Sequence, residues 1–153
     1  DSVVIDVGGL VDGYHSDMTR TYLIGQVVPE LAEIHDLVLR AQREGVLAVR
    51  PGVSGSSIDE VCRNIITQAG YGPDFIHVTG LGVGLQIHEM PWVRSDFMEP
   101  LQCGEVVTVE PGVYRVGVGG VRIEDLILVT ATSSQTLTLS QKESLCLPSR
   151  RMI

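Results

Sequence analysis

Positive charge is what this sequence has least of. Its 153 residues hold 11 Lys and Arg against 19 Asp and Glu, for a net charge of −8. Phosphate backbones are gripped by basic patches, so this balance excludes nucleic acid as a partner. No apolar stretch is long enough to span a membrane. No signal-peptide pattern opens the sequence. Cysteine is scarce: Cys62, Cys103 and Cys146 stand far apart with no CxxC spacing. They read as buried or free thiols of a reducing compartment, and a cytoplasmic location is the expectation. Linkers, low-complexity tracts and internal repeats are absent too. What is left is one domain's length of chain, 44% hydrophobic and 20% charged, long enough to bury a core.

Residues 3–7, VVIDV, are an apolar β-branched run and read as a strand. Asp12-Gly13 marks a tight turn, and a second strand follows over 13–24. Pro29 opens a helix in which Leu31, Ile34, Val38, Ala41, Gly45 and Ala48 recur at helical spacing before Pro51-Gly52 stops it. Ser54 to Ser57 supply caps for a second helix, with Ile58, Val61, Ile65 and Ala69 expected on its buried face. Gly70 and Gly72 close it. Strands are then expected at 105–110, 113–116 and 120–130, the last two around the turn GVGG. The order β-β-α-α-β-β-β, with the helices grouped in the middle, predicts an α+β fold with an antiparallel sheet. The tail after Ser133 is polar and expected to be less structured, with SRRMI frayed.

Four acids stand out. Asp6 and Asp17 lie in apolar strand sequence, folded towards each other by the Asp12-Gly13 turn. Glu110 and Glu124 are equidistant from residue 117, so a hairpin centred there sets them opposite each other. Ionised carboxylates are seldom buried in strands unless paired or bound to metal. Like charges facing across a ladder repel. A lone acid here would be a cap or a turn partner. Four, paired by two hairpins, ask for cations: two divalent ions carry enough charge to offset them. Oxygen ligation suits Mn, Co or Zn better than a soft metal. In the absence of metal, at least one of the four is expected to hold its proton well above the usual range.

DVGGLVDGYHSDMTRT, HVTGLGVGLQIHEMP, VVTVEPGVY and GVRIEDLILVT strongly resemble the successive motifs of the pita-bread metallopeptidases. Within these the chain is most similar to Xaa-Pro dipeptidase (prolidase) and aminopeptidase P. The resemblance implies that Asp6 binds one metal, Asp17 and Glu124 bridge two, and Glu110 binds the other metal and acts as acid/base towards the attacking water. It implies that His77 lies near the scissile bond, that His88 holds substrate and steadies the intermediate, and that Arg122 and Tyr14 orient the ligands. Thr108 is expected beside them. His15 matches no ligand position. His35, on the first helix, is expected to be partly exposed. The activity implied is hydrolysis of X-Pro bonds in dipeptides or peptides by metal-activated water.

The sequence departs from that family in two ways. Where the family reads T-G-H-G, with the site's only nitrogen ligand, this chain reads Thr79-Gly80-Leu81-Gly82. Leucine has no lone pair, so two ions could be reduced to one or none. The alternative function is therefore an impaired or inactive pita-bread module; the resemblance extends to fold relatives that bind proteins or run metal-free chemistry, such as creatinase. The family's domain also begins well upstream of the D-x-G strand. Residues 1–153 are expected to be its C-terminal part, with an unpaired sheet edge and an exposed apolar face. That face would be covered in a homodimer or by association with the N-terminal part.

Overall fold

A computed structural model describes residues 1–143 and the backbone of 146–147. The chain runs β1 (Ser2–Val11), β2 (Tyr14–Ile24), α1 (Pro29–Ala48), α2 (Gly55–Gln68), a 3-10 turn (Gly72–Asp74), β3 (Gly80–Gly82) and β4 (Glu89–Val93). It continues through β5 (Val106–Val109), β6 (Gly112–Arg115), β7 (Gly119–Arg122), β8 (Asp125–Val129), β9 (Ser134–Thr136) and β10 (Cys146–Leu147). The α+β expectation holds: the strands form sheets β1-β2-β10, β4-β3-β5-β8-β9 and β6-β7. All ladders are antiparallel except the short β10–β2 pair.

Asp12 and Gly13 both take positive φ, 51° and 85°, the mirror-image turn that matches the twist of a hairpin. They fix the β1–β2 register with Val11 opposite Tyr14. β5–β8 and β6–β7 keep one common register, with Val109 opposite Asp125 and Gly112 opposite Arg122. They are one long hairpin whose ladder opens at Glu110-Pro111 and Ile123-Glu124. Pro111 has no N–H to give to a ladder. The freed donors go elsewhere: Glu110 N–H donates to the Thr79 carbonyl at 2.7 Å, and Glu124 N–H to the Thr19 carbonyl at 3.1 Å. The strand expected unbroken over 120–130 is split by this opening.

Both helices pack on one face of the sheets. Ile34, Val38 and Ala41 of α1 meet Val107, Val109 and Ile127 in a single core. Gly45 permits close packing, since a Cβ there would lie 2.4 Å from Cys62 Sγ. Ser54 caps α2 by accepting from the Ser57 N–H. The buried stripe of α2 is Ile58, Cys62 and Ile66; Val61 and Ile65 are only partly buried and Ala69 is exposed. The expected face is thus rotated by one position, because the small Cys62 meets α1 where Gly45 leaves room.

His35 is fully buried rather than partly exposed. Its side of α1 faces Thr21 of β2, and burial lowers its pKa, keeping the ring neutral. Cys62 is buried and Cys103 exposed, both free thiols. Residues 134–143 are better ordered than their polarity suggests: β9 pairs with β8, and Arg43 bridges to Glu143 at 2.6 Å. The expectation for SRRMI lies outside the described residues. The outer face of β1 carries Val3, Ile5, Val7 and Val11 in the open, the exposed apolar face at a sheet edge that was expected.

Candidate metal centre

Alternation builds the site. The register sets Asp6 opposite Thr19 and Gly8 opposite Asp17, so the two aspartates are diagonal neighbours on one face. On the long hairpin Thr108 is opposite Leu126, and Glu110 and Glu124 lie one step further along the same face. Carboxylate oxygens of Asp6, Asp17 and Glu124 fall within 4.8 Å of one another. Glu124 is buried and Asp17 half-buried, but the Asp6 side chain is 50% exposed. Its expected burial fails because β1 is an outermost strand. Glu110 stands beside the trio, its Oε1 accepting from Thr108 Oγ1 at 3.0 Å.

Arg122 organises the rim. Its guanidinium donates to Asp6 Oδ2 at 2.5 Å, to Thr19 Oγ1 at 3.2 Å and to the Tyr114 hydroxyl at 2.8 Å. Thr19 Oγ1 passes its own proton towards Glu124 Oε2 at 2.6 Å. His77 Nδ1 lies 2.7 Å from the Val78 carbonyl, which can only accept, so Nδ1 carries the proton. Burial lowers the His77 pKa and keeps the ring neutral. Nε2 is then an acceptor for the Tyr114 hydroxyl at 3.0 Å. The result is a directed chain, Arg122 to Tyr114 to His77. Gly112 makes room for it: a Cβ there would lie 2.8 Å from the Tyr114 oxygen and 2.9 Å from His77 Nε2.

The charges conflict as expected. Burial first, and repulsion from Asp17 and Asp6 after it, push Glu110 up to about 7. Burial and then Glu110 push Glu124 up to about 8. Asp17 is also raised, by burial and then by Asp6. Arg122 and Thr108 pull Glu110 the other way without cancelling the burial cost.

The remaining expected residues divide. His88 lines an open cleft of about 450 Å³ with Asp6, Asp17 and Ile87. His15 lines it as well, two places along β2 from Asp17 and on the same face. Alternation from Asp17 could have found both His15 and Thr19. Tyr14 does not reach the site: it is 64% exposed and borders a separate cleft with Gly84 and Met90. The hairpin tip turns it away, and Tyr114 occupies the place beside Arg122. Thr108 is where expected, its Oγ1 linking the Leu81 N–H at 3.0 Å to Glu110. Leu81 is buried against Val83 and Leu126, on the sheet face that carries the glutamates.

Two buried networks brace this face from behind. Arg20 donates to the carbonyls of Thr19 and Glu124 and, at 2.8 Å, to Asp125 Oδ1. Asp125 is also held by Thr138, Lys142 and Gln42, and these partners outweigh its burial and lower its pKa. On α2, Asp59 pairs with Arg63 and accepts from Thr79 Oγ1 at 2.7 Å. Arg63 also donates to the His77 carbonyl at 3.0 Å, fixing the loop that carries that histidine.

As a donor set, Asp6, Asp17 and Glu124 suit a hard divalent cation: three carboxylates converge within 4.8 Å. The sequence pattern of metallopeptidase family M24 matches residues 1–131. The chain belongs to this family. It is 45% identical over 143 residues to a Xaa-Pro dipeptidase of Pyrococcus horikoshii, covering 94% of this chain and 41% of that protein. It is 44% identical over 147 residues to an uncharacterized peptidase of Bacillus subtilis, 96% of this chain and 42% of that one. The prolidase structure from P. horikoshii superposes with a TM-score of 0.93 at 44% identity, over 95% of this chain and 42% of that chain. An X-Pro aminopeptidase structure from Thermotoga maritima gives 0.91 at 36% identity, over 96% and 42%. The M24 chain therefore has the pita-bread fold of these metallopeptidases and spans about 40% of their length. No described helix is long and apolar enough to cross a membrane.

Proposed function

We propose that this face hydrolyses X-Pro peptide bonds with the help of divalent metal. The observation that carries the reading is the convergence of Asp6, Asp17 and Glu124, with Glu110 on the same face. Bound metal would supply Lewis acidity, polarising the scissile carbonyl and acidifying water. The rest is the chain's own work. Glu110, held beside the trio by Thr108, is placed to take a proton from water and return it to the leaving nitrogen. Thr108 keeps Oε1 of Glu110 fixed, leaving the other oxygen for that exchange. Arg122 orients Asp6 and, through Tyr114, the neutral His77. His88 borders the open cleft beside Asp17, where a peptide carbonyl or carboxylate would be held. The X-Pro bond is the common substrate in the names of the dipeptidase and aminopeptidase relatives, and we carry it over on that ground.

Leu81 favours a second reading, an impaired or silent module. Assay of an X-Pro dipeptide with added Mn²⁺ decides between them. Hydrolysis by the chain that Glu110→Gln lowers at least 10³-fold supports the first reading. Absence of hydrolysis supports the second, and hydrolysis indifferent to Glu110→Gln would remove Glu110 from the acid/base role.

A further inference from the structure

We infer that this chain binds one divalent ion rather than a pair, held by Asp6, Asp17 and Glu124, and that Leu81 is the reason. The inference rests on the metal-dependent reading above and refines it. On one side of the cluster three carboxylates from three strand segments already converge within 4.8 Å. On the other side, among the described residues, the acid outside that trio is Glu110, and Thr108 engages one of its oxygens at 3.0 Å. Next to it Leu81 offers only methyl groups, packed against Val83 and Leu126. Among the described residues no histidine nitrogen joins the carboxylate group. His77 turns Nε2 to Tyr114 at 3.0 Å and Nδ1 to the Val78 carbonyl. His88 and His15 line the open cleft together with Asp6 and Asp17. A second dication would have to bind at the position with fewest donors, where a lost ligand costs at least the roughly 10–100-fold seen for outer partners.

The test is metal content and Mn²⁺ spin resonance of the chain after equilibration with Mn²⁺ and desalting. One equivalent with the six-line spectrum of an isolated ion is expected. Asp6→Asn should lose it, Glu110→Gln should keep it, and Leu81→His should raise the content to two with a spin-coupled spectrum. Two equivalents in the unsubstituted chain, or none, would overturn the inference. So would one ion that survives Asp6→Asn but is lost in Glu110→Gln. If Leu81→His fails to fold by circular dichroism, the unsubstituted chain and Glu110→Gln still decide. An X-Pro assay on the same samples separates the two readings: one bound ion without hydrolysis by any variant sinks the peptidase reading and leaves the single-ion inference standing.

Discussion

Tyr114 shows how a single hydroxyl can couple two charged centres. It accepts from Arg122 and donates to His77, so its proton direction is set from both ends. Tyr114→Phe removes the link without changing the ring. It is expected to lower kcat/KM on an X-Pro dipeptide by roughly 10–100-fold, the range for groups that orient ligands, while circular dichroism stays the same. Residue by residue, legibility follows local pattern. The four acids could be read as two pairs because strand alternation and hairpin spacing are properties of a short stretch of sequence; Arg122 came from the motif it resembles. Thr19 was within reach of the same logic. Tyr114 was not: nothing local ties it to His77, 37 positions earlier, and only the close approach at Gly112 brings them together. Tyr14 was misplaced because a motif position does not tell which way a hairpin tip points its last side chain. His35 was misplaced because a polar residue next to an apolar stripe can be drawn under a neighbouring strand.

At the level of elements, the long hairpin and α1 are locked by groups outside the carboxylate cluster itself. Asp125 is fully buried and shared by Arg20, Lys142, Gln42 and Thr138. Asp125→Ala would leave Arg20 charged and buried without its partner. Urea denaturation should show a loss of about 3–5 kcal/mol, the cost of breaking a buried pair from one side. The helix pair depends on Gly45. Gly45→Ala drives a methyl into Cys62 and Val109, and overpacking of this kind should cost about 1–3 kcal/mol in the same measurement. The helices were legible in extent because Pro29, Pro51-Gly52 and the serine caps are strong stops and starts. Which stripe of α2 faces inward was not, since a one-position rotation changes little in sequence and is decided by the shape of α1. The bounds of β3 and β4 escaped because Gly80-Leu81-Gly82 is too short to carry a period and Pro91 interrupts 89–93.

For the whole molecule, the strained carboxylates become a stability term. Glu124 has its pKa raised from 4.5 to about 8. The folded state therefore holds a proton that the unfolded chain gives up. This contribution is intact below pH 4.5 and is lost as pH rises through about 8. Metal-free protein should melt at a lower temperature at pH 8 than at pH 5. Added Mn²⁺ should raise Tm more at pH 8, where it no longer competes with protons. Glu124→Gln should flatten the slope; an unchanged slope would show that Glu124 is not its source. The exposed apolar face of β1 predicts self-association, and Val7→Lys should shift sedimentation towards the monomer.

The shared register of β5–β8 and β6–β7 also bears on how such a protein can change. The carboxylates are carried in pairs on two ribbons, and each ribbon ends in a free tip, Asp12-Gly13 on one and Val116-Gly117 on the other. Adding or removing residues at a tip leaves the pairing behind it untouched. New substrate-contacting loops can therefore be grafted at either end without moving an acid. A single residue inserted within β7, in contrast, would turn Glu124 to the opposite face. The chemistry is held fixed by the stems, and variation is confined to the ends.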